Sequence, residues 1–141
     1  MQLLRSSTLC SALPLPYLLS RVPAGFPSPA QDYVEQTLDL NEYCIRHPAA
    51  TYFVRVQGDS MIDGGIHDGD LLIVDRAIEP KHGDIVIAGF HGELTCKRLE
   101  TDPILQLVPM NPNYPKIRVP DDTELDIHGI VLHVLHSFKR I

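Results

Sequence analysis

The sequence predicts a mostly β protein: a compact, curled or barrel-like sheet with a flexible N-terminal arm and one short helix. Three observations support this. From Thr51 onward the chain breaks into short runs rich in β-branched and aromatic residues, at 52–56, 71–74, 85–90, 94–99, 104–108 and 125–136, separated by Gly, Asp and Pro. His91-Gly92 stands between two of these runs as a two-residue hairpin turn. Several runs are apolar on both faces, as expected where a sheet curls round and encloses its own strands.

Residues 1–31 carry Pro14, Pro16, Pro23, Pro27 and Pro29, which interrupt any helix and leave an extended arm rather than a packed element. A second reading of the arm is a secretory signal, from Arg5, the apolar stretch 9–19 and Val22-Pro23-Ala24 before Gly25. Prolines and serines within that apolar stretch, and unpaired cysteines elsewhere, argue against it. Asp39-Leu40-Asn41-Glu42 has the acceptor-x-x-Glu form of a capping box, so a short helix follows and stops before Pro48. The strands at 52–56, 71–74 and 85–90 come next, then the hairpin to 94–99, the strand at 104–108 and the long final run. Within that last run the apolar residues 127–135 read as core.

At 141 residues the chain has the length of one domain with a modest core. A hydrophobic content of 44% and a charged content of 21% are ordinary for a soluble globular protein. The formal net charge of −6 excludes a sequence-independent grip on DNA phosphates, so a role near DNA would run through protein partners. Cys10, Cys44 and Cys96 share no C-x-x-C spacing, which argues for a reducing cytoplasm and against a disulfide framework or zinc site. His128, His133 and His136 alternate between strand faces, so no metal is expected. Asp63, Asp68, Asp70 and Asp75 lack EF-hand spacing and read as turn-forming carboxylates. No segment reaches the length of a membrane-spanning helix.

The residues that promise chemistry are Ser60, in Gly58-Asp59-Ser60-Met61, and Lys97, in Glu93-Leu94-Thr95-Cys96-Lys97-Arg98-Leu99. Gly58 ends an extended run with a turn that presents the serine at a loop. Strand alternation puts Thr95, Lys97 and Leu99 on one face and Leu94, Cys96 and Arg98 on the other. A lysine enclosed by such a strand loses its proton more readily, because desolvation disfavours the ammonium. A neutral lysine beside a serine is a general base beside a nucleophile. The residues alone also admit a solvated Lys97, an ordinary turn serine, or a Ser-His-Asp triad using His82 or His67. Asp59 reads as an orienting residue rather than a third catalytic member.

The segment TYFVRVQGDSMIDGGIHDGDLLIVD from Thr51, HGDIVIAGFHGELTCKRL from His82, and AGFPSPAQDYVE from Ala24 resemble the UmuD branch of the LexA family of self-cleaving serine peptidases. The resemblance implies the fold of the LexA C-terminal peptidase, with Ser60 as nucleophile and Lys97 as general base. It further implies an oxyanion hole from the backbone N–H groups of Ser60 and Met61, and a cleavage site at Ala24-Gly25. Residues 1–24 would then be an arm removed by self-cleavage, and 25–141 the peptidase domain. The implied partners are a second copy in a homodimer, a RecA–single-stranded-DNA filament that promotes cleavage, and a UmuC-like Y-family polymerase subunit in the SOS response. The implied place is the cytoplasm, with no cofactor, no membrane and no direct specific DNA binding. The residues before Gly25 are too few for a helix-turn-helix domain, which separates this chain from LexA-type repressors. Rival readings are a non-catalytic interaction subunit with a vestigial dyad and a signal-peptidase-like processing enzyme.

Overall fold

The computed structural model describes residues 2–5, 11–18, 21–26 and 35–139. Its strands are β1 (Gln2–Arg5), β2 (Leu15–Leu18), β3 (Glu35–Leu38), β4 (Thr51–Arg55), β5 (Leu71–Asp75), β6 (Ile85–Phe90), β7 (Glu93–Glu100), β8 (Gln106–Val108), β9 (Ile117–Arg118) and β10 (Asp126–Leu135). Helix α1 (Leu40–Cys44) lies between β3 and β4. Among the described residues eight strands form one sheet in the order β1-β4-β5-β10-β6-β7-β8-β9, and β2 pairs with β3 apart from it. Neighbours in both sheets run antiparallel. The mostly β reading with one short α-helix is borne out. No helix among the described residues is long and apolar enough to cross a membrane.

Local chemistry accounts for the elements. The Asp39 carboxylate accepts the Asn41 N–H at 3.0 Å and starts α1, and Ile45 is already extended, so the helix is only five residues long. Pro48 then opens a short 3-10 turn leading into β4. At the β6–β7 hairpin Phe90 pairs with Glu93, and His91 and Gly92 have φ of 52° and 78°, the left-handed pair that a tight hairpin needs.

β6 shows why the strands are apolar on both sides. Ile87 joins Val54, Met61, Ile66, Leu72, Val74 and Cys96 in one buried cluster. Val86 and Ala88, pointing the other way, join Leu99, Leu107 and Ile130 in a second. A sheet with a core against each face needs no polar side to its central strands. β10 sits between β5 and β6 and is core at Ile130, while Val134 and Leu135 at its far end are exposed.

The arm differs from its reading as unpacked chain at two places. Residues Gln2–Arg5 pair with Tyr52–Arg55 at the sheet edge, and Leu15–Leu18 pair with Glu35–Leu38. An extended segment offers one backbone donor and one acceptor at almost every residue, and a neighbouring strand edge satisfies them whatever the side chains are. The described residues from Ser11 to Leu18 and from Arg21 to Phe26 are all exposed.

Candidate active site

Ser60 stands in the turn that leaves β4. Gly58, at φ +94°, lets the chain reverse, and its N–H donates to the Asp68 carboxylate at 2.7 Å. The turn is then pinned from below. Met110 N–H donates to the Ser60 carbonyl at 2.8 Å, and Asp63 N–H donates to the Met110 carbonyl at 2.8 Å. Asn111, itself buried, donates from Nδ2 to the Asp59 carbonyl at 3.0 Å, and the Tyr114 hydroxyl donates to Asp59 Oδ1 at 2.6 Å. Gly64 belongs to the same clamp: a Cβ there would lie 2.6 Å from Met110 Sδ. Asp59 therefore orients the loop and makes no contact with the lysine.

Lys97 reaches the serine from β7. Its cross-strand partner is Val86, and only 8% of the residue is exposed, which removes the reading as a solvated surface lysine. Nζ lies 3.0 Å from Ser60 Oγ, 2.7 Å from Thr95 Oγ1 and 3.1 Å from the Cys96 carbonyl. Thr95 shares its face, as the alternation requires. Burial holds the Lys97 amine below the ordinary lysine range. The Cys96 thiol, also buried, is pushed up to about 11 and so stays neutral beside it.

Ser60, Lys97 and Thr95 open into a cavity of about 180 Å³, completed by Val56, Gln57, Met61, Ile66, Leu94 and Cys96. Among the described residues neither the Ser60 nor the Met61 N–H is engaged by another backbone group. Ala24 and Gly25 lie in an exposed bend and do not line this cavity. The histidines proposed for a triad are occupied elsewhere. His82 Nδ1 accepts the Thr101 N–H at 2.9 Å, and the His67 ring faces Asp70, its Nδ1 lying 3.6 Å from Asp70 Oδ2. The acidic loop makes turns as expected: besides Asp68 and Asp70, Asp75 Oδ1 accepts the Ala77 N–H at 2.7 Å.

Sequence reasoning missed Asn111, Tyr114 and Met110, which lie some 50 residues beyond Ser60 and have no spacing signal. It also missed the grouping of His67, Asp70 and His136, whose potential donor atoms all lie within 4.8 Å of one another. The alternation of the tail histidines was read within one strand, whereas His136 lies just past β10 and meets a different loop.

The Peptidase S24-like family model matches residues 16–132. The chain is 53% identical over 122 residues to protein MucA of Salmonella typhimurium, covering 86% of this chain and 84% of that one. It is 55% identical over 124 residues to protein SamA of the same species, covering 88% and 86%. It is 39% identical over 128 residues to the LexA repressor of Acidovorax sp. (strain JS42), covering 90% of this chain and 56% of that protein. With the serine and lysine side by side in a mostly β fold, and matches of this extent, the chain belongs to the Peptidase S24-like family, in agreement with the LexA/UmuD resemblance of its sequence.

Proposed function

We propose that this chain is a serine endopeptidase that cuts itself between Ala24 and Gly25 with a Ser60/Lys97 dyad. The observation that supports the reading best is the 3.0 Å approach of a buried lysine to a serine at the mouth of a cavity. A neutral amine has two N–H groups and one lone pair. Thr95 Oγ1 and the Cys96 carbonyl take the two N–H groups, so the lone pair faces the Ser60 hydroxyl.

In the first step Ser60 Oγ bonds to the Ala24 carbonyl carbon and gives its proton to Lys97 Nζ. The oxyanion is held by the N–H groups of Ser60 and Met61. The C–N bond to Gly25 then breaks, and the departing amine takes the proton back from Lys97. Water, deprotonated by the same lysine, hydrolyses the acyl-enzyme. Because Ala24 and Gly25 lie outside the cavity in this structure, cleavage requires the arm to move into it. The small side chains on both sides of the bond suit a narrow cleft.

The likeness to UmuD supports a further reading. A RecA–single-stranded-DNA filament favours the conformer with the arm in the cavity, and the cut chain, as a homodimer, joins a UmuC-like Y-family polymerase subunit for error-prone translesion synthesis in the SOS response. Intact-mass spectrometry of the purified chain, incubated alone and with RecA filament, tests the proposal. A fragment beginning at Gly25 is expected. An uncut chain under every condition would instead favour the interaction-subunit reading.

A further inference from the structure

Asp70 and His136 meet because of strand register. Leu71, the first residue of β5, pairs with Leu135, the last of β10, so the residues just outside that pair face one another across the end of the ladder. His136 Nδ1 lies 2.5 Å from Asp70 Oδ1, and His67 Nδ1 lies 3.6 Å from Asp70 Oδ2. The carboxylate thus stands between two imidazoles whose ring centroids are 5.0 Å apart. It is 2% exposed, whereas the His67 and His136 side chains are 48% and 40% exposed.

We propose that His67, Asp70 and His136 form a binding site for a divalent transition metal of the zinc class. Two imidazole nitrogens and one carboxylate oxygen are a ligand set for Zn²⁺, Co²⁺ or Ni²⁺ rather than for Mg²⁺ or Ca²⁺, which prefer oxygen alone. Tetrahedral bonds of the usual zinc lengths put neighbouring donor atoms about 3.3 Å apart. The three donor atoms lie within 4.8 Å of one another, and the 2.5 and 3.6 Å approaches are to different Asp70 oxygens, so rotation of the two half-exposed rings toward one shared oxygen admits the ion. Three protein ligands leave the fourth position to water.

The surroundings orient the ligands. His67 N–H donates to Asp70 Oδ2 at 2.8 Å, and the Phe138 ring stands edge-on to His136 at 5.0 Å. The site also adjoins the nucleophile loop. Val56 N–H donates to the Asp70 carbonyl at 2.9 Å, and Gly69 N–H donates to the Val56 carbonyl at 2.9 Å. Val56 and Ile66 line the cavity beside Ser60. A bound ion would therefore fasten the end of β10 to the loop that frames the cavity, independently of whether the chain cuts itself.

The test is calorimetric titration of the full-length Ser60→Ala chain, kept whole by that substitution, with ZnCl₂ and with MgCl₂. It is paired with Co²⁺ titration followed by visible absorption. The expected result is one Zn²⁺ per chain, no Mg²⁺ binding, and a tetrahedral Co²⁺ spectrum that zinc abolishes. His67→Ala and His136→Ala should each weaken zinc by about tenfold or more, since loss of a ligand costs at least what loss of a ligand's own support does. His133→Ala should leave it unchanged. Absence of zinc binding in the parent, or binding retained in the His67→Ala/His136→Ala double variant, would overturn the proposal and leave two surface histidines beside a buried carboxylate.

Discussion

In the loop from Gly58 to Asp70 the backbone is tied at almost every turn, to Met110, Asn111 and Val56 on one side and to the loop's own carboxylates on the other. From Arg21 to Phe26 every residue is exposed, and a Cβ built on Gly25 would meet nothing within 4 Å. The two stretches carry the two halves of the proposed reaction. A nucleophile and base gain from rigidity, because a displacement of about 1 Å can cost on the order of a hundredfold in rate. A scissile bond needs the opposite, since it must leave its own surroundings and lie extended in a cavity that its residues do not line.

The largest break in that contrast comes from removing the rigid half's chemistry. Ser60→Ala and Lys97→Ala should each lower the cleavage rate by about 10⁴-fold or more, the scale seen when a nucleophile or its base is deleted. Lys97→Arg should fail equally, because a guanidinium does not deprotonate at accessible pH. Fragment appearance by intact mass is the measurement, and cleavage persisting in Lys97→Ala would assign the base elsewhere.

The pH profile sharpens the same point. Only neutral Lys97 accepts the serine proton, so the rate should climb about tenfold per pH unit while the lysine is mostly protonated. It should level off once the pH passes the lysine's pKa, which burial lowers. The plateau should therefore begin below the pKa of about 10.4 of a free lysine. A rise that continues through that value would mean the folded chain leaves Lys97 fully solvated.

The exposed half is tested by bulk at the proposed cut site. Gly25→Val should slow cleavage by about ten- to a hundredfold through misplacement in the cavity. It should leave the melting temperature unchanged, because the side chain enters open space. A lower melting temperature would show that this stretch supports the fold.

How much of this was legible before the structure follows from the range of each interaction. β6 and β7 could be read because a hairpin is local: His91-Gly92 fixes the turn, and alternation along β7 then sets Lys97 beside Thr95. The short helix was legible for the same reason, its Asp39 cap lying two residues from the N–H it accepts. Ser60 and Lys97 were paired through a family resemblance, since nothing local measures a distance across 37 residues. The clamp from Met110 to Tyr114 and the approach of His136 to Asp70 escaped because both depend on how far strands slide past one another. The pairing of Gln2–Arg5 escaped differently: backbone hydrogen bonding at a strand edge asks little of the side chains, so the sequence leaves scant trace of it.

The smallest effects should come from single supports of the rigid loop, and their order tests which supports matter. Thr95→Val removes one of the two acceptors that aim the Lys97 lone pair. The loss of one such hydrogen bond, worth about 1 kcal/mol, should slow cleavage roughly fivefold with little change in folding stability. Asn111→Ala withdraws a buried donor from the Asp59 carbonyl and an acceptor from the Asn113 N–H at 3.0 Å. Denaturant unfolding should show a loss of about 1–3 kcal/mol, because two hydrogen bonds made by a buried side chain, worth about 0.5–1.5 kcal/mol each, are lost. Tyr114→Phe deletes only a bond at the exposed end of the same loop, where water replaces the hydroxyl, so stability and rate should both stay close to the parent. If Tyr114→Phe slowed cleavage as much as Thr95→Val, Asp59 would act on the serine as well as on the loop, and the division between positioning and chemistry would have to be redrawn.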